Sequence, residues 1–395
     1  MTQASVNVPA KGISYFTPAQ EIPAGTCLAA PDGKPVPKAF EPITIRGVTF
    51  QNRIWVSPMC QYSYKDGMLT DWTVVAIGSY AVRGASLSII EATAVAPNGR
   101  ITPHCAGLWK DEQIAPLKRV VEFVHGQNQK IGIQLAHSGR KGSTLAPWLP
   151  GNYAHAGEEE GFPSEVVAPT DEVFDTDYVK PHELATEDIK NYVEAYKKSA
   201  LRAVEAGIDV IEIHGAHGYF LNEFLSAAVN KRTDKYGGSF ENRTRLAVEI
   251  VQAIKSVIPE HVLLFFRTSA SDRLEDLPEE HGWTSKDTIE LSKILKANGV
   301  DVLDVSSGGN SSKGKITYGP AFQAQYAYDV KEALPDFIVA PVGAIHEPEV
   351  VEEVLEKADA VFVGRPFAWN PNFVFDLAKK YGIKVQWPHQ IGYTC

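Results

Sequence analysis

From about Phe40 onward, short continuous apolar runs rich in β-branched residues alternate with longer amphipathic stretches. The apolar runs are Arg53–Pro58, Ser88–Val95, Ile131–Leu135, Asp209–Ile213, Val262–Arg267, Asp301–Val305, Phe337–Pro341 and Ala360–Val363. A strand with one wet face alternates apolar and polar residues. These do not, and the pattern predicts parallel strands covered on both faces. Between them, helical spacing predicts Asp71–Arg83, Glu112–Gln127, Glu187–Ala206, Glu241–Ile258, Ser285–Asn298, Gln323–Ala333, Glu349–Lys357 and Asn372–Tyr381. The third of these shows the local logic. Thr186 is placed to cap its start, Glu187 and Asp188 suit the positive end, and Gly207 suits a left-handed stop. Ile189, Val193, Tyr196, Ala200 and Val204 recur on the face expected to be buried.

About eight β/α alternations in one chain predict an α/β fold, a single (β/α)₈ TIM barrel rather than an open doubly wound sheet. No G-x-G-x-x-G follows any strand, so the dinucleotide fingerprint of a Rossmann fold is absent. Two segments break the rhythm. Residues 1–39 carry Pro9, Pro18, Pro23, Gly25, Pro31, Gly33, Pro35 and Pro37 and predict an irregular N-terminal arm, leaving 40–395 for the barrel. Ser138–Ala185, after the third strand, predicts a long excursion across the barrel mouth.

Composition adds mainly exclusions. Hydrophobic residues at 44% and charged residues at 22% suit a large globular core. A formal net charge of −10 disfavours a nucleic-acid binder while leaving room for a local phosphate pocket. Cys27, Cys60, Cys105 and Cys395 are scattered, with no C-x-x-C, which suggests neither a disulfide framework nor a thiolate zinc site. With no signal-like N-terminus and no membrane-length apolar run, a cytoplasmic protein without a membrane partner is expected.

In a TIM barrel the chemistry sits at the C-terminal ends of the strands. Those ends carry Ser57-Pro58-Met59-Cys60, Glu91-Ala92-Thr93, Gln134-Leu135-Ala136-His137, His214-Gly215-Ala216-His217, Arg267, Ser306-Ser307-Gly308, Gly343 and Gly364-Arg365. Gly308, Gly343 and Gly364 after the last strands fit a phosphate cradle, to which Arg365 adds charge; tight turns use glycine as well. His214-x-x-His217-x-Tyr219 brings two imidazoles and a phenol to one mouth. Zinc binding is open on that spacing, with Glu212 as the spare ligand, but Arg267 on a neighbouring strand disfavours a dication. Arg267 ends an apolar run and requires a counter-charge, from an anionic cofactor or from a barrel carboxylate. Cys60 is either a small buried apolar residue or, with Tyr62 two positions on, part of the site.

Read together, these motifs resemble the Old Yellow Enzyme family of FMN-dependent ene-reductases, and its thermophilic-like subgroup above all. The resemblance runs from about Phe40 to Trp387. It rests on Asn52-Arg53-Ile54 leading into Ser57-Pro58-Met59-Cys60-Gln61-Tyr62-Ser63, on Ile133-Gln134-Leu135-Ala136-His137-Ser138-Gly139-Arg140, and on Val210–Tyr219. It continues through Arg232-Thr233-Asp234-Lys235-Tyr236-Gly237-Gly238-Ser239, Glu241-Asn242-Arg243 and Val361-Phe362-Val363-Gly364-Arg365-Pro366. The resemblance implies FMN as cofactor and NADPH or NADH as hydride donor in a ping-pong reduction of enone or enal C=C bonds. Pro58, Met59, Cys60 and Ala92 would line the flavin, Gln134 and Arg267 would bind its ring, and Gly343, Gly364 and Arg365 its phosphate. His214 and His217 would polarise the substrate carbonyl, Tyr219 would protonate the α-carbon, and Tyr62 would contact substrate.

Two departures stand out. The subgroup's C-terminal Arg, which reaches a neighbouring subunit, is missing from Gln390-Ile391-Gly392-Tyr393-Thr394-Cys395, where Tyr393 is the residue left to fill that space. A homodimer or larger homo-oligomer is therefore an open assembly. The arm before Phe40 is also longer than the family core requires. Competing readings are a flavoprotein of the same fold run as a desaturase, a non-catalytic flavin or ligand binder, and a metal-dependent hydrolase using His214 and His217.

Overall fold

A computed structural model of the chain describes residues 6–30, 33–151, 157 and 160–394. Pro31 of the arm, 152–156 and 158–159 of the excursion, and Cys395 lie outside the described residues. Eight parallel strands form one sheet: β1 (Ile54–Val56), β2 (Leu87–Ala94), β3 (Lys130–Ala136), β4 (Val210–Gly215), β5 (Leu263–Ser269), β6 (Val302–Ser306), β7 (Ile338–Pro341) and β8 (Val361–Val363). They are ordered β7-β6-β5-β4-β3-β2-β1-β8, and a parallel bridge from Val342 to Phe362 closes the ring. Each boundary lies within two residues of the predicted run. The protein is a TIM barrel.

The outer ring is α1 (Asp71–Ala81), α2 (Ile114–Gly126), α3 (Ile189–Ala206), α4 (Phe240–Lys255), α5 (Ser285–Ala297), α6 (Ala324–Ala333), α7 (Pro348–Lys357) and α8 (Phe373–Tyr381). In α3, Gly207 takes the left-handed stop at φ 93°. Its start departs from expectation. The helix begins at Ile189, and the Thr186 hydroxyl donates to Asp234 rather than capping. That carboxylate is held by Arg232 at 2.6 Å, and the Thr186 oxygen, which a cap would use to accept a backbone N–H, accepts instead from Arg232 Nη2 at 3.3 Å. The buried stripe is also rotated: Ser199 and Ala203 are buried, while Val193 and Val204 are only half-buried.

Inside the barrel, side chains stack in layers. The base layer is apolar, with Trp55, Leu87, Ile89, Val210, Leu263, Phe265 and Phe362 packed on a floor hairpin, Ile43–Ile45 with Val48–Phe50. Because inward positions recur every second residue, Val210 leads up to Glu212 and then His214. The upper layers are polar: Gln134, Glu212 and Asp304, then Ser57, His214, Arg267 and Ser306, all buried. Polar groups in a barrel interior are costly unless they serve a ligand or one another.

The arm is not a loose appendage. Cys27–Ala29 pairs antiparallel with Lys384–Val385. Gln20 Nε2 donates to Gln390 Oε1 at 2.8 Å, and Glu21 lies 3.1 Å from His389. Gly25 (φ 80°) lies so close to Gly84 that a Cβ would come 2.3 Å from its carbonyl oxygen. The arm thus ties the tail to the barrel, while Tyr393 stays 83% exposed. Among the described residues, no helix is long and apolar enough to cross a membrane.

Candidate active site

At the top of β4 the chain turns sharply. His217 has a left-handed φ of 62°, and Gly218 (φ 70°) would place a Cβ 2.1 Å from the Gly309 carbonyl oxygen. The turn stacks three rings. His214 and His217 have centroids 5.3 Å apart, and His214 and Tyr219 are 5.2 Å apart, each pair edge-to-face. The His217 backbone N–H donates to Ser269 Oγ at 2.9 Å, and its ring Nε2 lies 2.7 Å from Ser306 Oγ. The buried His214 Nδ1 has no protein partner. Burial pushes His217 down to about 3, helped by Arg267 and Lys141. Burial also drives His214 well below the usual imidazole range, with His217, Arg267 and Lys141 adding to the effect. Both rings are therefore neutral at pH 7, each with one N–H to donate.

Lys141, from the start of the excursion, pins this turn. Its ammonium donates to the carbonyls of His217 (2.9 Å) and Gly309 (3.0 Å) and lies 5.0 Å from the Tyr219 ring centroid. Burial draws the ammonium down to about 8.

Below the rings lies a charged layer. Arg267 Nη2 donates to Ser57 Oγ at 2.6 Å, and Nε forms a 2.7 Å ion pair with Asp304. Gln134 Nε2 donates to Glu212 Oε1 at 2.7 Å. Both readings of Arg267 are thus compatible: it has a barrel carboxylate below it and an open cavity above.

That cavity holds about 530 Å³ and is lined by Pro58, Met59, His217, Arg267, Ser306, Gly343, Gly364 and Arg365. Ligand sites commonly have this size. Gly343 has φ 120°, a conformation that L side chains rarely adopt. Arg365 is exposed on the rim, and no carboxylate among the described residues pairs with it. Arg365 at the rim with no carboxylate partner and the buried Arg267 guanidinium, with Pro58, Met59, Val342 and Phe362 among the lining, fit a flat anionic cofactor such as FMN. Residues 38–383 match the NADH:flavin oxidoreductase / NADH oxidase family.

The chain belongs to that family, the Old Yellow Enzymes. It is 46% identical to an NADH:flavin oxidoreductase of Gibberella zeae over 98% of this chain and 95% of the relative. It is 40% identical to the NADPH dehydrogenase of Bacillus subtilis, over 89% of this chain and 98% of that one. Morphinone reductase superposes with a TM-score of 0.70 at 27% identity, covering 89% of this chain and 91% of its own. The Old Yellow Enzyme homologue of Zymomonas mobilis superposes at 0.71 with 25% identity, covering 88% and 94%. This Old Yellow Enzyme is an FMN-dependent oxidoreductase that draws on NADH or NADPH.

Within it, Cys60, Tyr62 and Tyr219 pack on a small buried cluster of Ala92, Ile101, Cys105 and Ala136, so four predicted residues meet at one wall. Burial, with Glu91 second, holds the Cys60 thiol well above its ordinary value. Tyr62 has a left-handed φ of 48° and meets Trp148 of the excursion edge-to-face at 5.8 Å. Gly308 is placed differently from the other predicted glycines. Its N–H already donates to Ser271 O and its carbonyl accepts from Ser269 Oγ, both at 2.8 Å, so it shapes the loop instead of lining the cavity. Among the described residues, no group of three or more His, Cys, Asp and Glu side chains is placed to hold a metal ion. Sequence reasoning assigned no role to Lys141 or Asp304. Asp304 left a signal, a carboxylate inside an apolar strand; Lys141 left none beyond its place after the Gly139-Arg140 motif.

Proposed function

We propose that this enzyme reduces the C=C bond of α,β-unsaturated carbonyl compounds, taking NAD(P)H and substrate in turn at one pocket. The observation that carries the reading is the convergence of two neutral imidazoles and a phenol above a buried guanidinium. Bound FMN supplies the hydride-carrying ring. Gln134 and Arg267 hold that ring, Pro58, Met59, Cys60 and Ala92 line it, and Gly343, Gly364 and Arg365 hold the phosphate. His214 and His217 donate to the carbonyl oxygen and draw electron density from the β-carbon. The β-carbon receives the hydride, the Tyr219 hydroxyl gives its proton to the α-carbon, and the product is the saturated carbonyl compound. Tyr62 borders the substrate. Arg267 supports negative charge on the cofactor ring. Work in the cytoplasm and as a homo-oligomer belongs to the same proposal.

Tyr219→Phe is the direct test. Stopped-flow mixing with NADPH should bleach the flavin at close to the wild-type rate, whereas reoxidation by cyclohexenone should slow by about 10²–10⁴-fold, the usual worth of a positioned general acid. Unchanged reoxidation would remove Tyr219 from the reaction.

A further inference from the structure

Beneath Arg267 the barrel buries two carboxylates with one cation between them and the cavity. Glu212 and Asp304 are both fully buried. Asp304 faces Arg267 across the β5–β6 register, and Glu212 faces Gln134 across the β3–β4 register. Glu212 Oε2 and both Asp304 oxygens lack an aligned hydrogen bond, although Arg267 Nε is only 2.7 Å from Asp304. Two adjacent unpaired carboxylate oxygens with no donor between them require a shared proton, because like charges in a dry interior do not both persist. Burial raises both groups and Asp304 raises Glu212 further, whereas Arg267 opposes the rise at both, joined by Gln134 at Glu212 and by the contact with Glu212 at Asp304. In the sheet register Asp304 lies between Arg267 on β5 and Ala340 on β7, and Glu212 between Gln134 on β3 and Phe265 on β5; His214 and Ser306 follow two residues on along the same strands.

We propose that Glu212 and Asp304 form a proton acceptor coupled to reduction of the cofactor, holding one proton when it is oxidised and two when it is reduced. Reduction of the cofactor leaves a charge to be balanced. Hydride transfer from NADPH brings one proton and two electrons to FMN and leaves NADP⁺, so the cofactor gains one negative charge without consuming a solvent proton. Arg267 lines the cavity and Asp304 does not, so a negative charge gained there would compete with Asp304 for the same guanidinium. Asp304 loses part of its only counter-charge and takes a proton from the buffer, leaving Arg267 paired with the cofactor. The pair is a positioning device acting through Arg267 and does not touch the substrate. This inference rests on FMN lying over Arg267, as proposed above.

The test is anaerobic NADPH titration of the FMN-loaded protein in weak buffer at pH 7, with a pH indicator. Flavin bleaching and proton uptake are read together. Wild type should take up about one proton per flavin bleached, and Asp304→Asn should bleach with that uptake abolished. Bleaching without uptake in wild type, or uptake that persists in Asp304→Asn, overturns the inference. A protein that neither binds FMN nor bleaches overturns the underlying site instead. Should Asp304→Asn fail to bind FMN, a variant with both His214→Asn and His217→Asn, which retains both carboxylates, decides. Uptake kept beside the spectrum of anionic reduced flavin supports the pair. Uptake lost, or beside a neutral reduced spectrum, refutes it.

Discussion

Replacing Arg267 by Met removes the only cation in the polar layer while roughly keeping its volume. Arg267 is 4% exposed and its partner Asp304 fully buried, so little water reaches the site. Removing one partner of a buried ion pair costs about 3–5 kcal/mol. The two stranded carboxylates can avoid part of this cost by binding protons, which gives the loss a definite pH dependence. Burial already raises both above their unfolded values of roughly 4, and loss of Arg267 raises them further. A raised folded pKa means that the folded state binds more protons, so stability is present at low pH and lost as pH rises through that pKa. The variant should therefore melt only slightly below wild type near pH 5, with the gap widening to about 6–10 °C by pH 8, taking roughly 2 °C per kcal/mol for a chain of this size. Thermal melts from pH 5 to 8, on FMN-saturated and flavin-free protein, read this directly. A gap that is constant with pH, or one that closes as pH rises, would refute the buried-carboxylate reasoning.

Further outcomes follow from the same geometry. Arg365→Ala should weaken FMN binding by about 10–100-fold, the worth of one hydrogen bond to a charged group, as read by quenching of FMN fluorescence. An unchanged Kd would move the phosphate away from the Gly343–Arg365 end. Because burial keeps His214 and His217 neutral far below pH 6, reoxidation of the reduced enzyme by enone should show no histidine ionisation between pH 5 and 8. A break near pH 6.5 that disappears in His217→Asn would show that the rings titrate where the structure says they do not.

The barrel was legible because its strands are buried on both faces and therefore read as uninterrupted apolar runs, each followed by a helix with one apolar stripe. The candidate site was legible where polar residues interrupt those runs: Arg267 closing Val262–Phe266, and His214, His217 and Tyr219 crowded after β4. What stayed hidden depends on partners far away in the chain. The pairing of Cys27–Ala29 with Lys384–Val385 joins opposite ends through strands too short to show a period. Thr186 has the right residue type for a cap, yet its hydroxyl is drawn into the Arg232–Asp234 pair, donating to Asp234 and accepting from Arg232. Gly308 obeys the rule that strand-end glycines take unusual dihedrals (φ 73°), but its N–H is spent on Ser271. Lys141 carries no local pattern at all, and its role exists only once the excursion folds back over His217.

The central claim, that one flavin pocket serves NAD(P)H and an unsaturated carbonyl compound in turn, is tested most directly by following the visible spectrum of the protein without oxygen. NADPH is added first and cyclohexenone second. Flavin absorbance should bleach with NADPH and return in full with the enone, with cyclohexanone as the product. Bleaching that no enone reverses would contradict enone reduction and favour the desaturase reading on the same cofactor. A protein that takes up no FMN would contradict the site itself.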